Sequence, residues 1–234
     1  MTTSPTVADP AEAVQTARWG IPDAVVALAL YAVLSLGSFW VLGGLLRLAD
    51  GPTVVGSLVL GQAVLALYPL WVVRRKGRGV RQDLALSITW TDVGIGILAA
   101  IAAVFLTVFY VLAALVVGVT PTAAAAEVAM GITGPWLVAL AVSFAVVGPL
   151  AEELSFRGLW WGALRKRGAS ALVATLVSGI VFGLGHLEPT RAILLVLIGF
   201  LLGGLRWWTG RLGAGIVAHM VINGLATAAI VATA

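Results

Sequence analysis

Apolar residues run through the chain in long stretches broken by short polar segments. Seven such runs are legible: Asp23–Leu46, Val54–Val73, Asp92–Val119, Trp136–Leu164, Ser170–Leu187, Ala192–Trp208 and Leu212–Thr233. A helix needs roughly 20 apolar residues to span a hydrocarbon core of about 30 Å, so each run is read as a transmembrane helix. The pattern predicts an all-α fold, a polytopic transmembrane bundle of about seven helices. Residues 1–19, MTTSPTVADPAEAVQTARW, are polar and contain proline. They lack the basic-then-apolar order of a signal peptide, so a disordered tail is expected there, with the first helix as an uncleaved anchor. Residues 20–135 then hold the three N-terminal helices, and residues 136–234 form a core that carries the polar motifs.

Composition sharpens this picture. Hydrophobic residues make up 61% of the chain and charged residues 10%, with a mean hydropathy of +1.07, which excludes a soluble domain. The 14 basic residues are unevenly placed. Arg18 precedes the first run, and Arg74, Arg75, Lys76, Arg78 and Arg81 follow the second. Arg157, Arg165, Lys166 and Arg167 accompany the end of the fourth, and Arg206 and Arg211 flank the turn after the sixth. Only Arg47 and Arg191 fall on the other side, so 12 of 14 share one face. Loops rich in Lys and Arg stay cytoplasmic, which predicts an N-terminus inside and a C-terminus outside a cell membrane. These loops also account for the net charge of +4. Between apolar spans they serve topology and contact with anionic lipids, and no nucleic-acid partner is expected. The absence of cysteine excludes disulfides, thiolate metal sites and a cysteine nucleophile. Gly179 with Gly183 and Gly199 with Gly203 give two G-x-x-x-G spacings that suit close helix packing.

Charged groups inside membrane helices are costly and are functional candidates by default. Asp92 suits the free N–H groups of a helix start, and Glu188 sits beside Pro189 in a turn and is expected to be solvated. Glu152, Glu153, Arg157, His186, His219 and Asn223 remain, and His186 and His219 are the chain's 2 histidines. Glu153 and Arg157 stand four apart, acid first, and share a helix face as an ion pair. Glu152 is turned about 100 degrees away and is left free for chemistry. His219 and Asn223, also four apart, point from the seventh helix in one direction. At about 1.5 Å per residue, Glu152 lies roughly 20 Å above Arg165, His186 roughly 24 Å above Ser170, and His219 and Asn223 roughly 12 and 18 Å above Arg211. These depths overlap only if the fourth helix continues through GLWWGALR, with a kink at Pro149.

A carboxylate and a histidine facing one cavity can deprotonate and orient water, while a second histidine and an asparagine can donate to a developing oxyanion. That combination is hydrolytic chemistry of the acyl-transfer type. Other intramembrane protease designs fail on their letters. No Gly-x-Ser-Gly occurs, Asp92 is the lone aspartate candidate, and His-Glu-x-x-His is absent. No cofactor or metal is expected, with a dispersed zinc site from Glu152 or Glu153 and both histidines as the alternative.

At these residues the sequence resembles a known family. EELSFR (Glu152–Arg157), FGLGH (Phe182–His186) and HMVIN (His219–Asn223) match, in order, the Glu-Glu-x-x-x-Arg, Phe-x-x-x-His and His-x-x-x-Asn motifs of the CPBP family. This family contains the type II CAAX prenyl endopeptidases and the bacteriocin-processing or Abi proteins, also described as glutamic intramembrane proteases. The resemblance covers roughly Trp136–Ala226 and places the catalytic core on helices four, five and seven. It implies that Glu152 activates water with His186, that His219 and Asn223 form the oxyanion site, and that Glu153, Arg157 and Phe182 support them. It further implies a cavity open to the cytosol and a peptide or lipidated peptide as substrate. Two other readings stand beside the protease: a non-proteolytic immunity or scaffold protein of the same fold, and a proton-coupled transporter.

Overall fold

The computed structural model describes residues 17–232 and is helical, with no strand among the described residues. Seven long helices are α1 (Ile21–Leu45), α2 (Asp50–Lys76), α3 (Trp90–Val116), α4 (Gly134–Lys166), α5 (Ala171–Gly185), α6 (Ala192–Thr209) and α7 (Gly213–Val231). Six are long and apolar enough to cross a membrane, and α5, at 15 residues, is shorter. At 1.5 Å per residue α5 reaches about 22 Å, less than the hydrocarbon core. The expected seven runs are thus six helices of membrane length and one shorter helix that ends at His186. The outward surface is strongly apolar, with Leu98, Phe105 and Phe109 of α3 exposed, as lipid contact requires of a multi-pass membrane protein.

Helix ends follow local chemistry. The Gly20 N–H is accepted by Asp23 Oδ2 at 2.9 Å at the start of α1, and Ser170 Oγ accepts the Val173 N–H at 3.1 Å at the start of α5. Thr89 and Asp92 close a capping box on α3. Beyond the N-terminal capping expected for it, the buried Asp92 is gripped from α7's leading turn by Arg211, with Nε to Oδ2 at 3.0 Å and Nη2 to Oδ1 at 2.9 Å.

Most of the expected N-terminal tail, residues 1–16, lies outside the described residues. Its last three residues are packed instead of loose. Trp19 is buried, the Arg18 N–H donates to the Lys76 carbonyl at 2.7 Å, and the Lys166 ammonium donates to the Ala17 carbonyl at 2.8 Å. The basic count also changes, because Arg157 and Arg206 are buried inside the bundle and are not loop charges. Glu188 is not simply solvated. It pairs with Arg191 at 2.7 Å.

The N-terminal helices and the motif-bearing helices share their packing. One buried cluster joins Trp19, Ala24 and Val72 to Leu154, Leu159 and Ile216, linking α1, α2, α4 and α7, while a second joins Ala99 of α3 to Ile198 and Ala218 of α6 and α7. The division at residues 135 and 136 therefore separates motifs, not cores. The two G-x-x-x-G spacings face one another. A Cβ on Gly199 would lie 2.7 Å from the Gly179 carbonyl, and one on Gly183 would lie 2.5 Å from the Val196 backbone nitrogen. Only glycine permits the α5 and α6 backbones to come that close.

α4 runs unbroken for 33 residues, as the depth argument required. Its turns widen to i→i+5 bonding at Ser143–Val147 and again at Glu153–Trp160, which holds most of the EELSFR motif. Proline explains the first widening. The Gly148 N–H bonds back to the Ser143 carbonyl, and the next donor in that register would serve Phe144, but residue 149 is proline. Asn223 Nδ2 supplies the missing bond to the Phe144 carbonyl at 3.1 Å. α2 repeats the device. Pro69 leaves the Leu65 carbonyl without its helical donor, and Ser155 Oγ donates to it at 2.8 Å. The motif residues are thus tied into the backbone irregularities around them.

Candidate active site

Glu152 sits where α4 passes from a regular turn into its second wide segment, and its side chain is 21% exposed. Both histidines converge on it. His186, at the end of α5, places Nε2 4.0 Å from Glu152 Oε2, and His219 of α7 places Nε2 3.7 Å from the same oxygen. That oxygen is buried and has no hydrogen-bond partner within the protein. Separations of this size exceed a direct hydrogen bond and suit a bridging water.

Each imidazole is oriented by its other nitrogen. His186 Nδ1 lies 2.8 Å from the Phe182 carbonyl. A carbonyl only accepts, so Nδ1 carries the proton and, in the neutral ring, Nε2 turns its lone pair toward Glu152. His219 Nδ1 lies 3.1 Å from Glu153 Oε1, which likewise assigns a proton to Nδ1. Glu153 Oε1 also accepts Arg157 Nη1 at 2.9 Å, both side chains being fully buried. Arg157 Nη2 continues to the Gly199 carbonyl at 3.0 Å. The four-residue spacing of Glu153 and Arg157 thus forms the pair read from the sequence, and the pair also reaches His219, which the sequence did not indicate.

Phe182 fills the centre of this arrangement. Its ring centroid lies 4.7 Å from that of His186 and 5.6 Å from that of His219, and the Arg157 guanidinium carbon lies 4.3 Å from it. A buried cation over an aromatic face is stabilised by the ring quadrupole. Gly215 makes room for Glu153, since a Cβ there would lie 2.9 Å from Glu153 Oε2.

The structure brings Glu152, Glu153, Arg157, Phe182, His186 and His219 together. Asn223 stands one turn beyond His219, with one amide hydrogen committed to the Phe144 carbonyl and the second free to donate. Sequence reasoning missed two contributors from the N-terminal helices. Gln62 of α2 is buried and donates Nε2 to the Ser143 carbonyl at 3.3 Å, and Tyr31 of α1 stands within electrostatic reach of Glu152. Their signal was a polar side chain within an apolar run, weaker than a charge and open to many packing explanations. Arg206 of α6 also reaches the motif, donating Nε to the Arg157 carbonyl at 3.3 Å.

His186, His219 and Glu152 are donors of the kind zinc takes. Ligands about 2.0–2.1 Å from a tetrahedral centre stand about 3.4 Å apart, so the observed 3.7 and 4.0 Å are too open for a formed site. Among the described residues no group of three or more His, Cys, Asp or Glu meets the geometry of a metal site.

Comparison with known proteins reaches the same part of the chain. Residues 134–225 match the family model described as Type II CAAX prenyl endopeptidase Rce1-like. The chain is 33% identical over 78 residues to "Putative membrane peptidase YdiL" of Bacillus subtilis (strain 168), a stretch covering 33% of this chain and 32% of that protein. The match thus spans about a third of its relative's length. No solved structure matches significantly. The three motifs fall in order within the matched stretch, on helices whose polar groups meet at one point, so residues 134–225 are similar to the type II CAAX prenyl endopeptidase Rce1-like family at the residues that form this cluster.

Proposed function

We propose that the protein is an intramembrane endopeptidase in which Glu152 and His186 activate a water molecule for attack on a peptide carbonyl. One observation carries the reading: two imidazole Nε2 atoms lie within 4.0 Å of a single buried, unpartnered glutamate oxygen. A water in that gap donates one hydrogen to Glu152 Oε2 and the other to His186 Nε2. Glu152 takes a proton as the oxygen attacks and returns it to the leaving amine. His219, held through Nδ1 by Glu153, presents Nε2 to the substrate side and, when it carries both protons, donates to the tetrahedral oxyanion. The free amide hydrogen of Asn223 is the second donor. Glu153 and Arg157 form a neutral buried pair that orients His219 without touching substrate. No metal is required in this scheme.

Where the site lies and the description of the matching family model support a substrate class. A peptide that reaches a site among membrane helices is itself membrane-associated, and a prenylated CAAX-type peptide is the form suggested by the family's description. The basic loops support a cytoplasmic N-terminus, a cleft open to the cytoplasmic side and contact with anionic lipids.

The test is cleavage of a farnesylated Cys-a-a-X reporter and of an unmodified membrane-inserted peptide by purified protein in detergent with chelator. Cleavage of either, reduced about 10²–10⁴-fold in Glu152→Gln, is the expected result. No cleavage of either by folded wild-type protein overturns the protease reading in favour of a scaffold. Cleavage retained by Glu152→Gln removes Glu152 as the base.

A further inference from the structure

Several buried polar atoms lack a partner within the protein, and four of them surround the candidate site: Glu152 Oε2, Glu153 Oε2, Arg157 Nε and Gln62 Oε1. The first three belong to the motif whose chemistry is described above. Gln62 does not. It lies on α2, outside the matched residues, and its side chain is inside the bundle at 5% exposure. A buried amide oxygen with no donor is unfavourable by a margin that membrane helices rarely tolerate, which makes its position informative.

The amide is placed by two contacts. Nε2 donates to the Ser143 carbonyl at 3.3 Å, and a Cβ added to Gly148 would lie 2.9 Å from that nitrogen. Gly148 and Glu152 are four apart on one regular turn of α4, so the Gln62 amide lies one turn from Glu152 on the same face. On the neighbouring α1, Tyr31 and Ser35 pack against Gly61, where a Cβ would lie 3.0 Å from Tyr31 Cε2. Gln62 of α2, with Tyr31 and Ser35 of α1 packed at the neighbouring Gly61, thus brings polar groups of the N-terminal helices to within one turn of Glu152. Nε2 is held by the backbone of α4, which fixes the amide plane and leaves Oε1 as an oriented acceptor.

Resting on the proposed endopeptidase function, we propose that Gln62 is a substrate-contacting residue whose Oε1 accepts a main-chain N–H from an extended peptide lying between α2 and Glu152. An extended segment offers N–H and C=O groups to both sides, and inside a membrane each needs a partner. The scissile carbonyl turns toward the water between Glu152 and the histidines, and an N–H of a flanking residue turns toward Gln62. The contact recognises peptide backbone and leaves side-chain preference to the apolar walls.

The test uses the farnesylated reporter and a series in which each backbone N–H flanking the scissile bond is replaced, one at a time, by an ester oxygen. With wild-type protein one ester position should lower kcat/KM by about tenfold, the size of a buried hydrogen bond lost from one partner. Gln62→Met should lower kcat/KM for the parent reporter by a similar factor and show no further loss at that ester position. A structural role alone would slow all members of the series equally. An ester penalty undiminished in Gln62→Met, or wild-type activity in that variant, overturns the inference while leaving the protease reading intact. If Gln62→Met does not fold, the wild-type ester series decides alone, and no penalty at any position overturns the inference. No cleavage by wild type overturns the proposed function and this inference together.

Discussion

Removing Arg157 should destabilise the protein far more than neutralising Glu152. Arg157 is fully buried, donates to Glu153 at 2.9 Å and to the Gly199 carbonyl at 3.0 Å, and stacks on Phe182. Arg157→Met keeps much of the apolar stem but leaves the Glu153 carboxylate buried with only His219 beside it. Breaking one partner of a buried pair costs about 3–5 kcal/mol, and the lost bond to Gly199 adds about 0.6 kcal/mol on the scale seen between membrane helices. At roughly 2–4 °C per kcal/mol for a chain of this size, a total of about 4–6 kcal/mol lowers the melting temperature by roughly 8–24 °C. Glu152→Gln removes a charge whose Oε2 has no partner, so its melting temperature should equal or exceed that of wild type. Glu153→Gln with Arg157→Met should recover part of the loss, because no charge is then stranded. The assay is thermal unfolding of the four proteins in one detergent, followed by intrinsic tryptophan fluorescence. A shift below about 2 °C for Arg157→Met, or a loss for Glu152→Gln as large as that for Arg157→Met, refutes the division between a structural pair and a chemical glutamate.

Ser155→Ala should cost about 1–3 kcal/mol, because the Leu65 carbonyl freed by Pro69 loses its donor, and Pro69→Ala should rescue it by restoring the helical N–H, both read as melting temperature. Gly199→Leu should prevent the close approach of α5 and α6 and shift His186 from Glu152, giving a misfolded protein or an unfolding temperature well below wild type. Asn223→Leu should slow reporter cleavage by about 10²-fold or more in kcat with a smaller change in KM, since it removes the proposed oxyanion donor as well as the bond to Phe144. Arg211→Gln should lower the melting temperature, and more at low salt than at high salt, because the Asp92 partner is buried while Arg211 is partly exposed.

The apolar runs made the helical bundle legible, because membrane-length apolar stretches have few other uses. The motifs also announced their spacing, and Glu153 with Arg157 pairs as four-residue separation on a helix requires. Four features were hidden for physical reasons. The wide turns of α4 depend on Pro149 and on donors from α2 and α7 that no local pattern can specify. Arg206 reads as a loop charge, and Arg157 falls both with the basic loops and with the intramembrane cluster, because sequence gives no burial, yet both lie inside the bundle. His219 was grouped with Asn223 by spacing, whereas its Nδ1 is held by Glu153 from another helix. Gln62 and Tyr31 escaped notice because an uncharged polar residue in an apolar run carries little signal until its neighbours are known.

The central claim is that Glu152 delivers a water to the substrate and does not attack the carbonyl itself. Single-turnover cleavage of the reporter in water enriched in oxygen-18, with mass spectrometry of both product and protein, tests it directly. The account predicts one heavy oxygen in the new product carboxylate and none in Glu152. Unlabelled product in the first turnover with label appearing in Glu152 would mean that Glu152 forms a covalent anhydride, and would contradict the account.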